Sequence, residues 1–516
     1  MRHASSSVGP RYQENPTMSI RYFGTLLRAF SLLLAGLWLF QQATALGQIT
    51  NGSFESGLTG WTVTNPAGST VGTGSGQGRT TGANAANWNG GNQLGSSSIA
   101  QSFGTTAGQR YQLQFDYGVF GANQTQQMNA NVMGGGTLFN QTVTGVGPAG
   151  TNDTTFTRYT YQFTADSPSA TLTFTDMTTL GQSSSADGNL DGVSVTAVAP
   201  TTISPGGAGT LGTVNYLNGN IALATAMNNP VASQTNTRVG SGCNVAGCAI
   251  DGNTNGNFSS GNSTTHTSDG AIGNEWRVTL GTQPGQPNPG AHEFAIDHVT
   301  IFNRSDCCQD RLVEFSVDLF NSATGASVLN PFDLGSPSGG NANNDGVADN
   351  GANAAQAYPR YGLRVVQAPN TIGDAVRIEQ QAAATLSLAE VQVEGLADLA
   401  TMSGDVLEID VSATGNDFLN VEGDAALADG TVIDVSLLGG YVPPGGTTFD
   451  ILTAGGALNF DPDGLVINGP FRAQIDGGTL QLVSTVPEPA SIGLWVLVGL
   501  GLASFGGYRL RRHSAV

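Results

Sequence analysis

Apolar and polar side chains alternate at period two in many short runs along this chain, the pattern of strands with one buried face. Ile99-Ala100-Gln101-Ser102-Phe103 and Tyr111-Gln112-Leu113-Gln114-Phe115-Asp116-Tyr117 show it, with a turn through Gly108 between them. Further strands are expected at Tyr159–Phe163, Ala170–Phe174, Glu275–Leu280, Val299–Asn303, Leu312–Val317, Val406–Val411, Thr431–Leu437, Thr448–Leu452 and Thr479–Leu482. Few stretches carry a helical period, so the fold class is all-β. Two apolar runs break the alternation, one near each end. Ala29–Phe40 follows Arg21 and Arg28 and precedes Ala43-Thr44-Ala45, the layout of an export signal over residues 1–45. Met18 opens that unit better than Met1. Ile492–Tyr508 is followed by Arg509, Arg511 and Arg512, a cluster expected to stay cytoplasmic and leave the body on the far side of the membrane.

Composition sharpens this. Only 11% of the residues are charged, all 18 basic residues are Arg, and Gly takes 73 of 516 positions. Between Leu46 and Thr485 stand 11 Arg and 36 acidic residues, a net charge of −25. Such a body repels phosphate backbones, so nucleic-acid binding is excluded as a function class. The aromatic and aliphatic content is too high for disorder, and the length suits roughly three domains of 100–200 residues.

Val486-Pro487-Glu488-Pro489-Ala490, the apolar run and the terminal arginines together resemble the PEP-CTERM sorting signal, over 486–512. The resemblance implies a Gram-negative-type bacterium, membrane insertion of the C-terminal helix before processing by an exosortase-type enzyme, and a final place at the cell surface or in the extracellular matrix. An exported setting lets Cys pairs form disulfides.

Three modules lie between these ends. Residues 47–199 open with Asn51-Gly52-Ser53-Phe54-Glu55 and close with Leu190-Asp191-Gly192-Val193-Ser194-Val195, which resembles galactose-binding-like jelly rolls. There the first and last strands often share a structural Ca²⁺, and Glu55 and Asp191 match those positions; two solvated turn acids are the alternative. Trp61, Trp88 and Tyr117 read as core aromatics before sugar platforms. Residues 396–484 resemble the β-solenoid-like repeats of bacterial surface proteins, a stalk without evident chemistry.

Residues 213–395 carry the most specific pattern. Val299 to Phe315 reads V-T-I-F-N-R-S-D-C-C-Q-D-R-L-V-E-F, and Arg304, Asp306, Cys307, Cys308 and Arg311 resemble the R-x-D-x-x-x-x-R mark of the fucolectin family of discoidin-like β-sandwiches. Ala249-Ile250-Asp251-Gly252-Asn253, Thr265-His266-Thr267, Asn274-Glu275-Trp276-Arg277 and Leu386-Ser387-Leu388-Ala389-Glu390-Val391 follow the same family's order. A neutral sugar offers hydroxyl and ring oxygens, and each Arg presents five fixed donors to them. The resemblance assigns a sugar clamp to His266, Arg304 and Arg311, with Asp306 orienting the arginines and a Cys307–Cys308 disulfide as an apolar edge for a deoxy sugar's methyl group. It also implies a Ca²⁺ site from the carbonyls of Cys248 and Ala389 and from Asp251, Asn253, Ser263 and Glu390, an all-oxygen set that suits a hard cation. Thr264 and Ala389 stand where the family usually carries a disulfide, leaving Cys243 and Cys248 able to close a local loop. An insertion around Gly281–Pro289 makes His266 the least secure clamp member, with His292 and His298 as substitutes.

No catalytic constellation stands out: there is no G-x-S-x-G, no H-E-x-x-H and no stretch left for a catalytic domain. The expected function is an exported, non-enzymatic, Ca²⁺-dependent binder of glycans or exopolysaccharide. The alternative is a structural surface or matrix protein whose sandwiches contact other proteins.

Overall fold

The chain separates into two units, Met1–Leu46 and Gly47–Val516. The computed structural model describes residues 49–486 except 67–69, 75–77, 81, 89–94, 148–153, 178–186, 208, 224–229, 239–242, 244, 259–263, 282–291, 305, 307, 309–310, 313–314, 321–331, 334–361 and 382. The expected export signal and sorting segment lie outside the described residues. Among the described residues no helix is long and apolar enough to cross a membrane, and the architecture is all-β.

The first sandwich follows from the period-two runs. One antiparallel sheet orders Thr62–Thr64, Ser98–Gly104, Ser169–Asp176, Thr125–Met133 and Thr137–Val146. The other begins Val71–Gly74, Ala85–Trp88, Asp187–Val198, Arg110–Phe120 and Thr154–Thr164. Their inward rows meet in a core that includes Leu113, Phe115, Phe163 and Phe174. Trp61, Trp88 and Tyr117 are buried in it and present no platform to a sugar. The opening motif has a steric cause. Asn51 takes a left-handed φ of 52°, its amide nitrogen donates to the carbonyls of Gly57 (2.8 Å) and Thr59 (2.9 Å), and Phe54 stacks on Trp61. Gly52 lies so close to the closing strand that a Cβ there would sit 1.9 Å from the Val193 carbonyl oxygen.

In the second sandwich, Val231–Gln234, Glu275–Thr279, Ala375–Gln380, Phe315–Phe320 and Phe332–Asp333 form one sheet. Gly362–Val366, His292–Asn303 and Ser387–Gly395 form the opposite face. Trp276, Ile296, Val299, Ile301 and Val391 fill the space between.

The third module is a three-faced parallel solenoid. Val406–Val411, Val432–Leu437 and Val466–Asn468 stack on one face, Leu399–Ala400, Ala425–Ala426 and Leu458–Asn459 on a second, Phe418–Val421 and Thr448–Ala454 on a third. Its C-terminal end is closed by the antiparallel hairpin of Phe471–Asp476 and Thr479–Ser484. Its first rung lies upstream of the second sandwich. Thr202–Ile203 pairs in parallel with Val406–Leu407, and Thr213–Tyr216 pairs in parallel with Phe418–Val421 on one side and with His292–Phe294 on the other. Thr213–Tyr216, expected at the head of the second module, therefore belongs to two modules at once. The second sandwich is inserted between two rungs of the solenoid. A further parallel pair, Leu363–Val365 with Phe156–Arg158, joins the two sandwiches, so one 16-stranded sheet crosses all three modules.

One buried ion pair locks the first sandwich to the solenoid. Arg110 Nη1 meets Asp405, Arg110 Nη2 donates to the Ser403 carbonyl (3.1 Å), and Asp405 also accepts from the backbone of Thr201 and Met402, each at 2.7 Å. Removing the cation strands a buried carboxylate, which costs about 3–5 kcal/mol. Arg110→Ala is expected to lower the urea midpoint accordingly. Arg110→Lys should recover only part of the loss, because an ammonium cannot reach both acceptors with a fixed fork.

Candidate carbohydrate-binding site

The strand His292–Asn303 delivers Arg304 to the end of the sandwich, where the Asn303 side chain accepts from its backbone N–H at 2.7 Å. The chain then turns back through Cys308, held at a left-handed φ of 59°, and the Arg311 N–H closes the turn on the Cys308 carbonyl at 3.1 Å. Arg304 is buried and gripped along one edge by Asp306, with Nε to Oδ1 at 2.6 Å and Nη2 to Oδ2 at 3.3 Å. The pairing fixes the direction of the Arg304 guanidinium. Among the described residues Cys308 makes no disulfide; Cys307, its expected partner, lies outside them.

His266 reaches the same place from another direction. It sits on the two-residue strand Thr265–His266, paired with Leu388 and Ser387, and is buried. Nδ1 donates to the Thr267 carbonyl at 2.5 Å, which leaves Nε2 as the acceptor facing Arg311 Nη1 at 3.1 Å. Burial lowers the His266 pKa; the Thr267 bond opposes that, and the charges of Arg238, Arg311 and Arg304 add to it. The imidazole is therefore neutral. His292 pairs with Thr213 at the other end of its strand, and His298 Nδ1 contacts Asp297 (2.6 Å) and Arg364 (3.1 Å). Neither substitutes for His266.

Two residues here escaped the sequence reading. Phe258 packs under the group: the Arg304 guanidinium carbon stands 4.3 Å from its ring centroid, and the His266 ring centroid is 5.6 Å away. Its signal was that it is the one aromatic in the polar run Ser241–Thr264. Arg238, exposed at the rim, carried no signal at all, since it comes from a loop remote in sequence.

The expected Ca²⁺ residues gather beside this cluster. A disulfide joins Cys243 and Cys248, with Cα atoms 6.3 Å apart, and the turn Ala246–Ile250 is pinned by Trp276 Nε1 donating to the Ala246 carbonyl at 3.0 Å. Asp251, Asn253 and Asn255 then each accept from the backbone N–H two residues on, at 2.8, 3.1 and 3.1 Å. Glu390 Oε1 accepts from the Gly252 N–H at 3.1 Å, whereas Oε2 is buried with no hydrogen-bond partner. Burial, and then the charge of Asp251, push the Glu390 carboxyl up to about 7. The strand register skips Ala389, pairing Phe302 with Glu390 and Asn303 with Leu388, a bulge that takes Ala389 out of the ladder. An orphaned buried carboxylate oxygen, a second carboxylate and a strand bulge fit a hard cation. Among the described residues no three His, Cys, Asp or Glu side chains gather, so side-chain carboxylates alone would not complete a ligand set. Ser263 lies outside the described residues.

The other candidate cation pair does not fit. Glu55 is exposed and accepts from the Ala83 and Asn84 N–H groups at 2.9 and 3.0 Å. Asp191 is buried and accepts from the N–H groups of Thr80 and Gly192, both at 2.7 Å. Its cross-strand neighbour Asp116 is held by Arg158 at 2.5 Å. Glu55 and Asp191 are each taken up by backbone N–H donors, and the neighbouring Asp116 by a guanidinium.

No family model matches the chain, and no curated protein matches it. Among solved structures, the lectin domain of lectinolysin complexed with Lewis B antigen is 27% identical over 34% of this chain and 94% of its own, at a TM-score of 0.23. A fucose-binding module of Streptococcus pneumoniae is 24% identical over 34% of this chain and 96% of its own, at 0.23. A fucolectin from striped bass (Morone saxatilis) serum is 16% identical over 64% of this chain and 96% of its own, also at 0.23. At such TM-scores these likenesses decide nothing, and the functional reading rests on the side chains.

The neutral His266 sets a pH dependence. Its folded pKa lies below the ordinary 6.5, so on acidification the unfolded chain binds a proton that the folded ring refuses. Stability conferred here is present above 6.5 and drains away as pH falls below it. Ring titration by NMR should give a value under 6.5; one above it is incompatible with Arg311 donating to Nε2.

Proposed function

We propose that the second sandwich is a non-enzymatic, Ca²⁺-dependent carbohydrate-binding module for a fucose-type sugar, carried on a protein exported to the cell surface or exopolysaccharide matrix. The observation that carries the reading is the convergence of one turn with a sequence-remote histidine: Arg311 on neutral His266 at 3.1 Å, beside Arg304 braced by Asp306. Two guanidiniums held by an imidazole and a carboxylate point fixed donors at one spot, the arrangement that adjacent sugar oxygens need. Phe258 supplies the apolar edge against which a C6 methyl packs, and Cys308 carries a free thiol in place of the expected disulfide. Ca²⁺ takes Asp251, Asn253, Ser263, Glu390 and the carbonyls of Cys248 and Ala389, and fixes the loop that leads to Phe258.

The export signal at 1–45 and the PEP-CTERM-like segment at 486–512 support export, transient membrane insertion and processing by an exosortase-type enzyme in a Gram-negative-type bacterium. The Cys243–Cys248 disulfide is in keeping with that route. One observation favours the second reading, a structural matrix protein: the sheet continuous through all three modules.

Calorimetric titration with fucosylated oligosaccharides in the presence of Ca²⁺ separates the two. Arg304→Ala and Arg311→Ala are each expected to weaken binding about tenfold to a hundredfold with the thermal midpoint little changed, since each removes charge-assisted hydrogen bonds of about 1.5–3 kcal/mol. Absence of binding by the unaltered protein would leave only the structural role. Ca²⁺ itself should raise the thermal midpoint of the unaltered protein and leave that of Glu390→Gln unmoved; an equal rise in both places the cation elsewhere.

A further inference from the structure

The clamp is surrounded by more positive charge than a neutral sugar requires. Arg304 is paired with Asp306, but among the described residues neither Arg311 nor Arg238 makes an ion pair. Arg238 lies against the site on two counts. Its backbone N–H donates to the His266 carbonyl at 2.9 Å, and its guanidinium carbon stands 6.0 Å from the centroid of Phe258, the ring that also carries Arg304. Its side chain is exposed. Three of the 11 arginines between Leu46 and Thr485 thus surround one neutral histidine. Against them stands Asp306. Asp251 and Glu390, which lie beside the cluster, are the carboxylates assigned to the cation, and Asp310 lies outside the described residues. In a body of net charge −25, an anionic ligand is repelled over most of the surface and attracted here. An exposed guanidinium without a carboxylate offers a fork to a carboxylate or sulfate, and neither the neutral clamp nor the hydrophobic core uses it.

We propose that Arg238 binds an anionic substituent, a carboxylate or a sulfate ester, on the glycan held by Arg304 and Arg311, so that the ligand of this site is an acidic glycan. The inference rests on reading the clamp as a sugar site. The test is calorimetric titration of the full chain with three probes: a neutral fucosylated oligosaccharide, the same oligosaccharide bearing a uronic acid, and the same bearing a sulfate ester. At least one acidic probe should bind about tenfold or more tightly than the neutral one, and which of the two does so names the group. That excess should vanish in Arg238→Gln, survive in part in Arg238→Lys, and shrink between about 50 and about 500 mM salt as screening shortens the field. Binding of the neutral probe should not change in either variant. Equal binding of all three probes, or an equal loss for all three in Arg238→Gln, overturns the role of Arg238 and leaves the clamp standing. Failure of the unaltered protein to bind any of them removes the clamp reading as well.

Discussion

Thr213–Tyr216 hydrogen-bonds in parallel to two strands that follow it by many residues, His292–Phe294 on one side and Phe418–Val421 on the other. Parallel partners cannot be joined by a tight turn; they need a long crossover. Here the crossover is an entire β-sandwich. Both of its ends are consequently fixed to the solenoid, the outgoing chain through Gly395 and Leu396 returning beside Ile296 and Ala295. The 12-residue strand His292–Asn303 starts at this junction, pairs through His298–Phe302 in its second half with Gly362–Val366, and ends next to Arg304. At roughly 3.3 Å per residue it spans about 40 Å, so one rigid element ties the clamp to the solenoid and, through the parallel pair at Phe156–Arg158, to the first sandwich. The second sandwich is thus an insertion in the solenoid, held to it at the junction by parallel pairing.

The scarcity of positive charge explains how the arginines are spent. Arg110 neutralises Asp405, Arg158 neutralises Asp116 and Arg377 neutralises Asp318, each of these acids being buried. Burying a carboxylate in so acidic a chain is tolerable only with a partner of this kind or with converging N–H donors. Asp417 shows the second solution under strain. It accepts from the Gly212 and Asp410 N–H groups at 2.8 Å each, yet burial, and then Asp410 and Glu293, still push its carboxyl up to about 7. Cations that serve no buried acid stand out against this pattern, and two of them, Arg311 and Arg238, border His266.

What could be seen in the sequence was what is local. Period-two alternation located some strands of both sandwiches, among them Arg110–Phe120 and Glu275–Thr279, but not Thr125–Met133, Thr137–Val146 or Ala375–Gln380, and the turn from Arg304 to Arg311 was readable because eight consecutive residues build it. The turn through Asp251 and Asn253 was readable for the same reason, whereas its continuation through Asn255 was not singled out. The insertion was not, because parallel pairing between Thr202–Ile203 and Val406–Leu407 imposes no pattern on either segment beyond a few apolar residues. Phe258 and Arg238 were missed because their positions depend on loops that meet only in the folded chain. Glu55 and Asp191 show the converse. Their residue types suit a cation, but the loop that covers them presents backbone N–H groups, and the sign of those donors, invisible in a motif, decides against a metal.

The metal loop and the clamp are one mechanical unit. Glu390 lies three residues beyond Ser387, the cross-strand partner of His266, on a single strand. The ladder that starts at Asp251 continues through Asn257 directly to Phe258, the ring on which Arg304 rests. A cation between Asp251 and Glu390 would offset the burial that raises the Glu390 pKa, cancel the smaller repulsion from Asp251, and give the orphaned oxygen a partner. Without one, the same repulsion acts on the loop whose far end supports the clamp. If the proposed module depends on calcium, no contact between ion and sugar is required: a short run of backbone has the buried carboxylate at one end and the guanidinium platform at the other.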